Sequence, residues 1–140
     1  MTAEPLSRSL ELKPGQRLFV SSAPYPPVGA DIKSLLDEFP PVQHPQEADV
    51  QLFFTTSQAR LAEAFATQAR LLPLDGGLWI AWPKESSPLN VRLQNDLSFE
   101  DVQRIGLDAG LVDNKSCSID ENWQALRFAN RVEDQPTAAR

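Results

Sequence analysis

The sequence predicts an α/β protein of three layers, with helices on both faces of a five-stranded, mostly parallel sheet. Three observations lead there. Short, continuously apolar runs alternate with stretches whose apolar residues recur at helical spacing. Prolines and glycines, twelve and six in number, stand mostly where one kind of segment gives way to the other. The last two extended runs flank a tight polar turn, so the alternation closes in an antiparallel hairpin.

The elements follow in order. Pro14 and Gly15 make a turn before Leu18-Phe19-Val20, and the first strand is expected over residues 16–22. A proline-rich loop covers residues 23–28. Ile32, Leu35, Leu36 and Phe39 then lie at i, i+3, i+4 and i+7, which predicts a helix over residues 29–39, ended by Pro40 and Pro41. Residues 49–55 contain Val50, Leu52, Phe53 and Phe54, too continuously apolar for a half-exposed strand and expected to be covered on both faces. Thr56 or Ser57 is placed to cap the next helix, whose stripe is Leu61, Ala64, Phe65, Gln68, Ala69 and Leu72. Pro73, Gly76 and Gly77 stop it before the apolar third strand, residues 78–82, closed by Pro83.

Residues 84–97 read as a polar loop. Ser98 caps a third helix with Asp101 three residues on, a capping-box pattern with a shorter acid, and Phe99, Val102, Ile105 and Ala109 form its stripe. Gly110 suits the left-handed position just past a helix end. Residues 111–119 and 123–131 form the hairpin around Asp120-Glu121-Asn122. One domain is expected over residues 1–131, with residues 132–140 a polar, disordered tail.

Two resemblances sharpen this reading. Residues 49–55, the helix after them, and Leu72-Pro73-Leu74-Asp75-Gly76-Gly77-Leu78-Trp79-Ile80 resemble the fourth and fifth strands of Rossmann-like S-adenosylmethionine-dependent methyltransferases. Residues 98–131 resemble the last helix and the sixth and seventh strands of that fold. The stretches Trp79-Ile80-Ala81-Trp82-Pro83-Lys84, Gly110-Leu111-Val112-Asp113 and Asp120-Glu121-Asn122-Trp123, with Leu126-Arg127-Phe128, are similar to a bacterial family of short uncharacterised proteins, a domain of unknown function. That likeness covers about residues 10–131. The methyltransferase resemblance implies a strand order of 1-2-3-5-4 with the fifth strand antiparallel, a truncated form related to the C-terminal half of that fold. It also shows departures. Methyltransferases of this type have seven strands, and the segment with their acidic ribose ligand has no counterpart here. Their first strand ends in a glycine-rich loop that lets backbone approach the cofactor. This chain has Ser21-Ser22-Ala23-Pro24-Tyr25-Pro26-Pro27 there. No cofactor is therefore expected.

Ligands of open α/β sheets bind beyond the carboxyl ends of the parallel strands. The candidate crevice accordingly comprises Ser21, Ser22, Thr56, Ser57, Trp82, Lys84 and Ser86. Lys84 supplies charge, and Ser57 lies where helix N–H groups favour an anion. The plainer assignment makes Thr56 and Ser57 caps, Ser86 a loop residue and Trp82 core. Asp120, Glu121 and Trp123 are secondary candidates: the acids for proton transfer or a solvated turn, the Trp for a ring or for covering the hairpin end. His44 has no second His or Cys near it, and Cys117, the single cysteine, reads as a small packing residue.

Composition excludes other classes. Thirteen Lys and Arg against nineteen Asp and Glu leave a net charge of −6, the wrong sign for phosphate-backbone binding, so nucleic acid is not an expected partner. No apolar run is long enough to span a bilayer, and a cytoplasmic, membrane-free protein is expected. No metal-ligand spacing, Gly-x-Ser-x-Gly elbow or phosphate-binding glycine loop occurs. The expected function is a non-catalytic methyltransferase-like module that binds a small anionic ligand or a protein partner. The alternative is an enzyme, a divergent methyltransferase included, acting on a small anionic substrate at the strand ends. A bare first strand at the sheet edge also predicts weak homodimerisation, unless the N-terminal segment covers it.

Overall fold

The computed structural model describes residues 6–21, 30–72 and 76–130. They form α1 (Leu6–Ser9), β1 (Leu18–Ser21), α2 (Ala30–Glu38), a 3₁₀ turn (Pro45–Glu47), β2 (Val50–Phe54), α3 (Gln58–Leu71), β3 (Gly77–Pro83), α4 (Leu89–Arg92), α5 (Phe99–Asp108), β4 (Leu111–Ser118) and β5 (Trp123–Asn130). The sheet order is β1-β2-β3-β5-β4. β1, β2 and β3 run parallel, and β5 is antiparallel to both of its neighbours. This is the order and polarity expected. The tail, Ser22 with the proline-rich loop, and Pro73 lie outside the described residues.

Apolar residues on both sides of the central strands divide the core in two. Val50, Leu52 and Phe54 of β2 and Trp79 and Ala81 of β3 pack on one face with Ile32 and Leu35 of α2 and with Phe39 just after it. Phe53, Leu78, Ile80 and Trp82 pack on the other with Leu61, Ala64 and Phe65 of α3 and Val102 and Ile105 of α5. Each face thus takes alternate residues of the same strand, as full burial requires.

Three parts of the structure differ from the sequence reading. Residues 6–12, polar in overall composition, are docked. Leu6, Leu10 and Leu12 are buried in the α2-side core, and the Trp79 indole N–H donates to the Leu10 carbonyl at 3.1 Å. The 84–97 segment carries α4, with Leu89 and Leu93 packed against the same core and Leu97 buried in the other. The stripe of α5 is narrower than expected. Phe99 is 39% exposed and Ala109, the C-cap residue, is exposed, whereas Gly106 is buried. A Cβ on Gly106 would collide with the Phe128 ring, so this glycine sets how closely α5 approaches β5.

The capping box is formed: Ser98 Oγ accepts from Asp101 N, and Asp101 Oδ2 accepts from Ser98 N. Gly110 has φ +92, the left-handed conformation expected of it. The edge of β1 is covered partly from within the chain, since Val42 N–H donates to the Leu18 carbonyl at 2.8 Å.

Candidate functional site

The carboxyl ends of the parallel strands bring together Ser21, Thr55 to Ser57, and Pro83 to Ser87. Chain geometry dictates this, because parallel strands joined by helical crossovers all end at one edge. Ser22 lies outside the described residues. Ser21 is half-buried.

At the end of β2 the hydroxyls serve the backbone. Thr55 Oγ1 accepts from Ser57 N at 3.2 Å and donates to the Ser57 carbonyl at 3.4 Å. Ser57 Oγ accepts from Arg60 N, which makes it the cap of α3. An acid from elsewhere completes this helix start. Asp96 Oδ1 accepts from Gln58 N at 2.8 Å, the Gln58 side-chain amide donates to the Asp96 carbonyl, and Asp96 N donates to the Thr56 carbonyl. A carboxylate of the chain therefore sits where α3 favours an anion.

At the end of β3, backbone and amide groups knit the 84–97 segment to the hairpin. Lys84 N donates to the Asn122 carbonyl at 2.8 Å. Ser87 is buried, donating from Oγ to Asn122 Oδ1 at 2.8 Å and accepting from Leu89 N. Asn90 Nδ2 donates to the carbonyls of Lys84 and Ser87, and Asn95 Nδ2 donates to Asn90 Oδ1 at 2.7 Å and to the Leu97 carbonyl at 2.9 Å. Sequence reasoning placed Ser87 at the strand ends but passed over Asn90, Asn95 and Asp96. The one available signal was the density of amides in a short segment, a composition that satisfies backbone groups locally.

The remaining candidates separate. Trp82 is 1% exposed and lies in the α3/α5-side core, its ring 6.1 Å from that of Phe99. Trp123 is 3% exposed and meets Phe54 edge-on at 5.2 Å. Both follow the packing assignment. Asp120 Oδ1 accepts from Asn122 N and Trp123 N, closing the hairpin turn, while Glu121 is exposed. His44 is exposed at the N-cap of the 3₁₀ turn and makes no side-chain cap bond. What remains free at the strand ends is the half-buried Lys84 side chain, which makes no ion pair among the described residues, with the hydroxyls of the half-buried Ser21 and Thr56 and of the exposed Ser86. Among the described residues, no group of three or more His, Cys, Asp and Glu is arranged to hold a metal, and no helix is long and apolar enough to cross a membrane.

No protein-family model matches the chain, and no curated protein does. Solved structures do. The pyocyanin biosynthetic protein PhzM superposes with a TM-score of 0.64 at 11% identity, over 90% of this chain and 53% of that one. The chain thus spans about half the length of that protein. The N-methyltransferase NodS from Bradyrhizobium japonicum gives 0.54 at 13% identity, over 89% of this chain and 91% of that one. A TehB-like SAM-dependent methyltransferase from Corynebacterium glutamicum gives 0.53 at 12%, over 93% and 89%. With the strand order, these establish a Rossmann-like, methyltransferase-like fold. At such identities the likeness concerns fold alone.

Proposed function

We propose that this chain is a binding or interaction module built on the methyltransferase fold, without a working S-adenosylmethionine site. The observation that carries this reading is Asp96. Its carboxylate accepts from Gln58 N in the first turn of α3, so a helix start at the ligand-binding edge of the fold is occupied by the protein itself. The proline-bearing sequence after Ser21 supports the same reading, because prolines lack the backbone donors that a glycine-rich cofactor loop presents. The likeness to a family of short bacterial proteins belongs to this proposal as well. Isothermal titration with S-adenosylmethionine and with S-adenosylhomocysteine tests it. No saturable heat is expected; saturable binding at micromolar concentration would overturn it.

One observation favours a second reading, an enzyme for small anionic substrates. Lys84 keeps an unpaired ammonium at the strand ends, beside Ser86. A metabolite screen by thermal shift decides between the two. Turnover of an anionic substrate that disappears in Lys84→Ala would establish the enzyme. A ligand-induced shift without turnover would establish the module.

A further inference from the structure

The opposite end of the sheet holds a cavity of about 620 Å³, lined by α1, the turn after it, the last residue of α2, and β5. This size lies within the range of small-molecule pockets. Its cations are Arg8, Lys13 and Arg127. In a chain of net charge −6 such a cluster is unexpected, and its pairing is more so. Among the described residues the ion pairs are Arg17–Asp49, Arg104–Asp101 and Lys115–Glu11. None of the three cavity cations takes part. Glu11 lines the cavity, but its carboxylate is held by Lys115 at 3.1 Å. Glu38 is the other acid on the wall and lies beyond ion-pair distance of all three.

Arg127 is the centre of the arrangement. It is half-buried, opposite Trp79 in the β3–β5 register. Its guanidinium lies over Gly77: a Cβ there would meet Nε at 2.6 Å, Nη2 at 2.7 Å and Cζ at 2.8 Å. The absent side chain of Gly77 is therefore the seat of the guanidinium. A seated guanidinium with no acid partner presents a planar fork of donors, the geometry that suits phosphate oxygens. Ser7, buried at the wall, and Gln16 add neutral polar groups. Arg8 and Lys13 are exposed and supply the flexible charge that a dianion requires. Three unpaired cations against one unpaired acid favour a dianion over a monocarboxylate.

We propose that this cavity binds a phosphate group, with Arg127 as the oriented ligand and Arg8 and Lys13 as its counter-charges. The site lies at the amino ends of the parallel strands, away from the edge where this fold ordinarily binds ligands, and it is independent of the reading given above. Calorimetry and thermal shift on the full chain test it, using inorganic phosphate against chloride at equal ionic strength. A saturable, phosphate-specific rise in Tm is expected. Arg127→Gln should weaken phosphate binding about 10–100-fold, as loss of a charge-assisted bond implies. Gly77→Ala should weaken it similarly with every charge retained, because the new Cβ displaces the guanidinium. Arg8→Gln, on an exposed residue, gives a reading should the Arg127 variant fail to fold, and weaker binding is expected there too. Arg92→Gln, on an exposed residue outside this cavity, should change nothing. A wild type that does not distinguish phosphate from chloride would overturn the site. Unchanged affinity in both Gly77→Ala and Arg8→Gln, or loss of binding in Arg92→Gln, would do the same. Glycerol 3-phosphate serves to separate the sources of the phosphate: tighter binding than inorganic phosphate assigns an ester, weaker binding the free anion, and either supports the site.

Discussion

Gln51 is fully buried in the middle of β2, and neither its Oε1 nor its Nε2 has a hydrogen-bond partner. By strand alternation it shares the face of Phe53, against α3. Leaving a buried amide unsatisfied costs about 1–3 kcal/mol, and Leu fills nearly the same volume. Gln51→Leu should therefore stabilise the fold by about 1–2 kcal/mol, read as a higher urea midpoint. A second residue-scale effect concerns Cys117. Burial pushes its thiol up to about 11 from the ordinary 9.0, with Lys115 opposing. The folded state prefers the protonated thiol. Its contribution to stability is present below pH 9 and is lost as pH rises toward 11. Urea titrations at pH 8 and pH 10.5 should show a larger loss in wild type than in Cys117→Ala. A glutamine among Val50, Leu52 and Phe53 gives no sign in the sequence of whether a partner will reach it, whereas Cys117 packs against the α2-side core as its place in a strand predicted.

At the scale of elements, most of what the sequence contains concerns backbone preferences. The stripe of Ile32, Leu35, Leu36 and Phe39, the capping box at Ser98, Gly110 and the apolar strands are local, and they formed where local rules place them. α1 and α4 escaped because each has four residues, about one turn, too short for periodicity to register. The partner of α3 escaped for a different reason: Asp96 lies 38 residues from Gln58, and no local rule joins them. Asp96→Ala should cost about 1 kcal/mol, the usual worth of a cap, and should raise the hydrogen-exchange rate of the Gln58 amide in the native state. Close contact between α5 and β5 gives the other prediction at this scale. Gly106→Ala drives a methyl into Phe128, and the cost should reach about 1–3 kcal/mol. The increase in helix propensity is too small to offset it. Thermal denaturation by circular dichroism measures the sum.

For the molecule as a whole, the parallel sheet and the two-sided core were legible because alternating strands and helices leave few permitted topologies, whereas the strand order rested on the methyltransferase resemblance. The candidate crevice was legible only as a location. The Ser57 cap was legible because its bond to Arg60 N is local, whereas which acid would arrive at α3 depends on a pairing across the fold. The docked N-terminal segment is the main whole-molecule correction, since its three leucines bury only once β3 and α2 are in place. Leu10 is 1% exposed, so Leu10→Ala should destabilise the entire domain by about 2–5 kcal/mol, with one cooperative transition in both far-ultraviolet and near-ultraviolet circular dichroism.

The bond between the Trp79 indole and the Leu10 carbonyl has an optical consequence. All three tryptophans are at most 3% exposed, so the folded protein should emit in the blue, and only Trp79 is tied to residues 6–12. Partial undocking of that segment would wet a single indole and leave Trp82 and Trp123 dry. Replacing those two with Phe turns Trp79 into a built-in lamp for the segment that also carries Arg8. Its colour would then report, without any attached dye, on the wall of the cavity at the amino ends of the strands.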